Sequence, residues 1–493
     1  MANNFKDLIF YEIYPTSFYD SNNDGIGDLK GIEEKLDYIK ELGCNAIWLN
    51  PFYDSPFKDG GYDVRNFKKV DSKFGTNKDF VSLIKKAHSL GLKIIIDLVP
   101  GHASEKNKYF LKSAEPIKNE YSDLFIWNSC VWDLENGYRL ISGRYDRNAC
   151  YLVNFFSTQP AFNYGFKDIQ YPSWQLSYKD ERTFKARDFM VDVMKFWLKL
   201  GADGFRVDMA DSLVKNDEDK SATIEVWDYI FKIIKKEYPN TYLVSEWASP
   251  WRALKAGFEA DFILPTHQDM FMHYFGRAGE GNNIFDGKNI EYFISRFKDC
   301  YAAAKYYDKN LAIISGNHDI TRIASLLNDK QLKLFYLILF YLPGTPFLYY
   351  GDEIGMKHAD LTSKDGGYQR TGDRTPMQWN LKMNAGFSNT KKDLYLPVFN
   401  TDKVNVEENI NNKDSLYHLI KKLIKLRKEN DDFKNIDIDC YFEKNLLHFK
   451  NKKTELIINL GKEEITLNDK IIFSIGTDNK INYLEGAIIK NEN

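Results

Sequence analysis

Acids and bases recur where apolar runs of this chain end. The stretches are IIIDLVPGH (94–102), GFRVD (204–208), LVSEW (243–247), IISGNHD (313–319) and YYGDE (349–353). An earlier apolar run ends in Asn50-Pro51 and leads to GGYDV (60–64). Taken singly, a carboxylate at a strand end is a common helix N-cap. Taken together, so many charges converging on one rim are costly to bury unless they are paired or used. The residue types are carboxylates, two histidines and an arginine, with no G-x-S-x-G elbow, dinucleotide fingerprint or phosphate-binding loop beside them. No Cys/His cluster points to a catalytic metal. Carboxylates in an aromatic-rich chain fit glycoside cleavage, in which one attacks the anomeric carbon and a second protonates the leaving oxygen. Arg206 and Asp208 are two apart, so a strand projects them from one face. A guanidinium there is expected to keep Asp208 ionised as the nucleophile. Glu246, against Trp247, has the more apolar setting that suits a proton donor.

The elements that would position these residues alternate. Strands are expected at Ile9–Tyr14, Ala46–Asn50, Lys93–Val99, Gly204–Met209, Tyr242–Glu246, Asp261–Leu264, Ala312–Ser315 and Pro346–Tyr350. Helical periodicity falls between them, at Ile32–Leu42, Lys78–Leu90, Glu181–Leu200, Thr223–Glu237, Pro250–Ala256, Ile290–Tyr307 and Lys330–Tyr341. Near-continuous apolar strands are expected where both faces are covered. Eight strand–helix units predict an α/β fold, a (β/α)8 TIM barrel, with a doubly wound open sheet as the alternative. The barrel would take residues 1–100 and 179–430. Residues 101–178 lack the helical period and read as an inserted irregular subdomain after the third strand. Residues 431–493, with short β-like runs, read as a small C-terminal all-β domain.

Bulk properties narrow the partners. The 493 residues carry 67 basic and 70 acidic side chains, a net charge of −3, which calls for neither nucleic acid nor an anionic membrane. No apolar run approaches the roughly 18 residues of a membrane span. The first residues, MANNFKDLIFYEIYP, show no basic-then-apolar leader. Five scattered cysteines have neither disulfide nor zinc spacing, so a cytoplasmic location is expected. The expected partner is an oligosaccharide; the oligomeric state is not legible.

Four ordered motifs, DLVPGH (97–102), GFRVD (204–208), SEW (245–247) and GNHD (316–319), resemble the α-amylase family, glycoside hydrolase family 13. The resemblance covers nearly the whole chain. It implies a retaining enzyme with Asp208 as nucleophile, Glu246 as general acid/base and Asp319 as a third carboxylate gripping sugar hydroxyls. Tyr62, Asp63, His102, Arg206 and His318 would line the glucosyl pocket, and Asp97 would be a structural aspartate beside it. RTPMQW (374–379) resembles the oligo-1,6-glucosidase, α-glucosidase and trehalose synthase branch, which implies that Arg374 pairs with Asp63 to close the pocket on a terminal glucose. DSNNDGIGD (20–28) resembles the branch's calcium loop, with oxygens of Asp20, Asn22, Asp24 and Asp28 and the carbonyl of Ile26 as ligands of one structural ion. Three departures stand out. Gly101 replaces the Asn that in many α-amylases holds a second calcium, Ala161 replaces an Asp in QPAFN (159–163), and Met209 follows the nucleophile where bond preference is partly read. The resemblance implies an α-glucoside hydrolase acting on short oligosaccharides. The alternatives are a trehalose synthase or other transglucosylase or isomerase, an endo-acting α-amylase, and a non-catalytic relative that the intact carboxylate set disfavours.

Overall fold

The computed structural model describes residues 5–129, 137–279, 281–399, 404–477 and 479–491; Cys130 lies outside them. Eight strands form a closed parallel barrel: β1 (Phe10–Ile13), β2 (Ala46–Leu49), β3 (Lys93–Leu98), β4 (Gly204–Val207), β5 (Tyr242–Ser245), β6 (Ala260–Phe262), β7 (Asn310–Ile314) and β8 (Thr345–Tyr349). Each pairs with its neighbours in chain order, and β1 closes the ring on β8. This is the TIM barrel expected from the sequence.

Alternation along these strands separates two cores. Side chains at Phe10, Trp48, Ile95, Tyr242, Val244, Phe262, Ile314 and Phe347 fill the barrel interior. The intervening residues, such as Tyr11, Ile47, Ile96 and Leu243, face the surrounding helices. Phe10 and Phe347 stack at 4.3 Å, and Trp48 meets Phe262 at 5.4 Å. Each large apolar side chain so buried contributes about 1.5–3 kcal/mol. The interior is therefore a packed floor, and chemistry is confined to the rim above it.

The main barrel helices are Leu36–Leu42, Asn77–Ser89, Phe184–Lys199, Ser221–Glu237, Pro250–Lys255, Ile290–Tyr307 and Asp329–Tyr341. The expected helix over 32–42 is instead two, Leu29–Glu34 and Leu36–Leu42, broken where Lys35 leaves helical geometry at φ −103°, ψ 4°. Most strands stop short of the sequence reading at their carboxyl ends. Tyr14, Asn50, Met209 and Glu246 follow the last paired residues, and Met209 has φ +41°. Asn50 and Glu246 each keep one ladder bond, to the Ile13 and Val207 carbonyls, and stand at the rim.

Between β3 and β4, residues 101–178 hold a short helix (Lys108–Ser113) that the sequence reading missed and a three-stranded sheet. After a helix at Leu416–Glu429 come a five-stranded antiparallel sheet and a two-stranded one; the strand Glu485–Lys490, in the larger sheet, was not anticipated. Tyr341 joins this sheet to the barrel, its hydroxyl donating to the Phe449 and Thr454 carbonyls at 3.1 and 3.0 Å. Buried Arg427 donates to the carbonyls of Phe340, Leu342 and Gly344, satisfying groups that the end of a helix leaves open.

Candidate active site

Arg206 lies at the centre of the rim and is fully buried. Its Nη1 donates to Asp97 Oδ1 at 2.6 Å and Asp208 Oδ1 at 3.0 Å, while Nη2 reaches Glu246 Oε1 at 2.5 Å. Register explains this convergence: Arg206 is directly opposite Asp97 on β3 and Val244 on β5. Glu246 begins the loop after β5, and its Oε2 accepts the Met209 N–H at 3.0 Å. Arg206 was expected to keep Asp208 ionised; it does pair with Asp208, but not with Asp208 alone. Because the guanidinium is divided among three carboxylates, burial and the Glu246 charge outweigh it and push the Asp208 carboxyl well up.

Asp97 is structural. Besides Arg206 it accepts from Trp48 Nε1 at 2.8 Å, and it has no exposed surface. Asp319 has the opposite electrostatics to Asp208. Burial works against its charge, but His318, Arg370 and Arg374 prevail and hold it well below the usual carboxylate range. Its Oδ1 accepts from Arg370 Nη1 at 2.6 Å and Arg374 Nη2 at 2.9 Å, and its Oδ2 lies 3.2 Å from His318 Nε2. Tyr62 stacks on His318 at 5.3 Å, with its hydroxyl 2.7 Å from Nε2. His102 lines the pocket as a neutral ring, since burial pulls it down to about 3, and its buried Nε2 has no partner.

The expected closure by Asp63 and Arg374 is corrected. Asp63 is fully buried and accepts from Ser55 Oγ (2.9 Å), Lys58 N (3.1 Å) and Asp59 N (3.1 Å). Its carboxylate is spent on its own loop, and it is not among the residues that line the pocket. The acid presented to the pocket is Asp59, paired with Arg370 at 3.2 Å and anchored by Gln159 of the insertion at 2.8 Å. Arg374 lies behind, donating to the His318 carbonyl at 2.8 Å. Gly60 allows this packing: it has φ +55°, and a Cβ there would come 2.7 Å from Arg374 Nη1. Asp59 stands just before Gly60-Gly61 and Arg370 four residues before Arg374. Each was visible in the sequence, but with two acids and two arginines in these loops only the fold selects the pair. Asp211, Leu264, Thr266, His267 and Phe155 also line the pocket and were not anticipated.

Between insertion and barrel sits a buried lysine. Lys215 Nζ donates to Asn154 Oδ1 at 2.8 Å and to the Ser212 carbonyl, and burial pulls its ammonium down to about 8. Asn154 Nδ2 lies 3.3 Å from His102 Nδ1. A Cβ on Gly101 would come 2.5 Å from that Asn154 amide, so the small residue makes room for it. The Asp20–Asp28 loop spends its oxygens locally. Asp20 Oδ1 accepts Asn23 N at 2.7 Å, its Oδ2 accepts Gly25 N at 2.7 Å and Ser388 Oγ at 2.6 Å, and Asp28 caps a helix through Gly31 N at 2.7 Å. Asn22 and Asp24 accept the N–H groups of Asp24 and Ile26, both at 2.9 Å. Among the described residues no three His, Cys, Asp or Glu side chains converge as a metal site.

Residues 12–435 match the family model described as "Alpha amylase, catalytic domain". The chain belongs to the α-amylase family. It is 35% identical over 484 residues to the trehalose synthase/amylase TreS of Mycolicibacterium smegmatis, with 88% of this chain and 77% of that protein covered. It is 31% identical over 503 residues to the oligo-1,6-glucosidase of Heyndrickxia coagulans, covering 87% and 86%. The structure of the Bacillus licheniformis trehalose-6-phosphate hydrolase TreA superposes with a TM-score of 0.81 at 25% identity, covering 98% of this chain and 99% of that one. The protein is a glycosidase of this family, an α-glucoside hydrolase.

If Asp59 and Arg370 form the end of the pocket, Arg370→Ala should raise KM for a short α-glucoside about tenfold or more. That corresponds to a charged hydrogen bond worth about 1.5–3 kcal/mol. Steady-state kinetics beside the wild type would read it, and an unchanged KM would place the ion pair outside the binding site.

Proposed function

We propose that the protein is a retaining exo-acting α-glucosidase that removes the non-reducing-end glucose from short oligosaccharides. The observation that carries this reading is a single pocket with the Arg206-tied Asp208 and Glu246 at its floor and the Asp59–Arg370 pair at its wall. The cavity is about 310 Å³, at the small end for ligand sites. Asp208 attacks the anomeric carbon while Glu246 gives its proton to the glycosidic oxygen, which leaves with the aglycone. Glu246 then takes a proton from water, which attacks the glucosyl–Asp208 ester and frees the sugar with its original anomeric configuration. Asp319, held ionised, accepts hydrogen bonds from sugar hydroxyls; the unpartnered Nε2 of His102 is free for another.

Transfer to a second sugar is the competing outcome of the same intermediate. The similarity to a trehalose synthase/amylase favours keeping it in view. An endo-acting mode fits a closed pocket less well. Purified protein should release glucose from maltose, isomaltose or a nitrophenyl α-glucoside, and Asp208→Asn should lower kcat at least about a thousandfold. Disaccharide products without net glucose would establish transfer instead, and no reaction on any of these would remove the reading.

The buried, unpaired cysteines at 44, 150, 300 and 440 support a reducing cytoplasm as its location. Among the described residues no helix is long and apolar enough to cross a membrane. A calcium ion at the Asp20–Asp28 loop is proposed on the spacing of its oxygens in the sequence, against the local hydrogen bonding described above. Millimolar CaCl2 should then raise the thermal midpoint by several degrees over EGTA. An unchanged midpoint would leave the loop as a self-satisfied turn.

A further inference from the structure

Below His318 lies a carboxylate that the hydrolytic steps do not use. Glu12 is in β1, in the FYEI segment, and has no exposed surface. Its Oε1 is 2.9 Å from His318 Nδ1 and accepts from Asn50 Nδ2 at 3.1 Å; its Oε2 has no partner. The opposite edge of the ring faces the site, with Nε2 2.7 Å from the Tyr62 hydroxyl and 3.2 Å from Asp319 Oδ2. The ring thus bridges a buried anion and the carboxylate that meets the sugar.

We propose that Glu12 is a positioning residue acting through His318. Its carboxylate fixes the imidazole with Nδ1–H donated inward, so that the ring is cationic and its Nε2–H serves Asp319 and, when a glucoside binds, a sugar hydroxyl. This rests on the glucosidase reading for its kinetic consequence but not for its structural one. Glu12 acts without touching substrate, because the ring and Asn50 stand between them.

The surroundings agree in sign. The groups facing the ring are Glu12 from β1, Tyr14 just after it, Asp97 from β3, Tyr62 from the loop after β2 and Asp319 beside it. Arg206 acts on Glu12 from β4, and Arg374 holds the His318 carbonyl. Burial works against a charge on His318, but Asp319 and Glu12 overcome it and push the ring up to about 9. Burial also pushes Glu12 up to about 7, with His318 pulling the other way. The pair is therefore an ion pair between about 7 and 9, and the ring keeps its proton below that window. The competing arrangement is also present in the geometry. Asn50 Nδ2 lies 3.0 Å from Nδ1, so a neutral ring could accept the amide instead.

Histidine 15N shifts separate the two. With all eight histidines labelled and His318 assigned from a His318→Asn sample, the wild type should show both ring nitrogens protonated at pH 7.5, with loss of that state near pH 9. In Glu12→Gln, which keeps an acceptor but removes the charge, this titration should move down by at least about one pH unit. A wild-type ring that is neutral at pH 7.5, or a titration unmoved in Glu12→Gln, overturns the proposal. The wild-type spectrum decides even if the variant does not fold. In kinetics on a nitrophenyl α-glucoside, Glu12→Gln should raise KM about tenfold at pH 8, with the gap narrowing toward pH 5.5, where the ring is protonated in both. A gap that is constant with pH would be a merely structural loss and would also overturn it. If the wild type cleaves no glucoside, the hydrolase reading fails while the spectroscopic result stands.

Discussion

One buried guanidinium organises the catalytic rim. Arg206 has no exposed surface, yet Asp97, Asp208 and Glu246 all reach it. Removing one member of a buried ionic set costs about 3–5 kcal/mol, because the remaining charges are left uncompensated. The barrel meets this constraint by register, setting Asp97, Arg206 and Val244 side by side on β3, β4 and β5. Three carboxylates on one cation also leave the group net negative. Burial and the Glu246 charge together raise the proton affinity of Asp208, against the pull of Arg206.

The second carboxylate system is organised in the opposite sense. Asp319 meets three cationic side chains, His318, Arg370 and Arg374, and stays ionised. An anion-rich centre thus stands beside a cation-rich one, with opposite effects on Asp208 and Asp319. Arg370 connects the second centre to the pocket's end by also binding Asp59. Asp59 in turn is held by Gln159, so the insertion contributes to the wall as well as covering the rim.

Much of this was legible in the sequence because it obeys short-range rules. The eight strands, the Arg206–Asp208 spacing and the clustering of polar residues at strand ends follow from period-two alternation and from where apolar runs stop. What was not legible depends on loops closing on each other. Asp63 and Arg374 occupy the more conspicuous motif positions, but loop folding turns Asp63 onto its own backbone and sets Arg374 behind Asp319. The sharing of Arg206 was likewise hidden, since Glu246 is 40 residues away in the chain. Glu12, inside the expected first strand, gives no local signal, because its partner His318 lies 306 residues on. Gly101 read only as a lost ligand; its use is clear once Asn154 and Lys215 are seen to fill the seam.

In the proposed mechanism Asp208, despite its raised proton affinity in the free protein, is the group that bonds to the sugar. Incubation with a 5-fluoro-α-glucosyl fluoride, followed by peptic digestion and mass spectrometry, tests it most directly. A single glycosyl adduct is expected on the peptide spanning 204–211, located at Asp208. An adduct at Glu246 or Asp319, or turnover that releases the β-anomer without any covalent species, would contradict it.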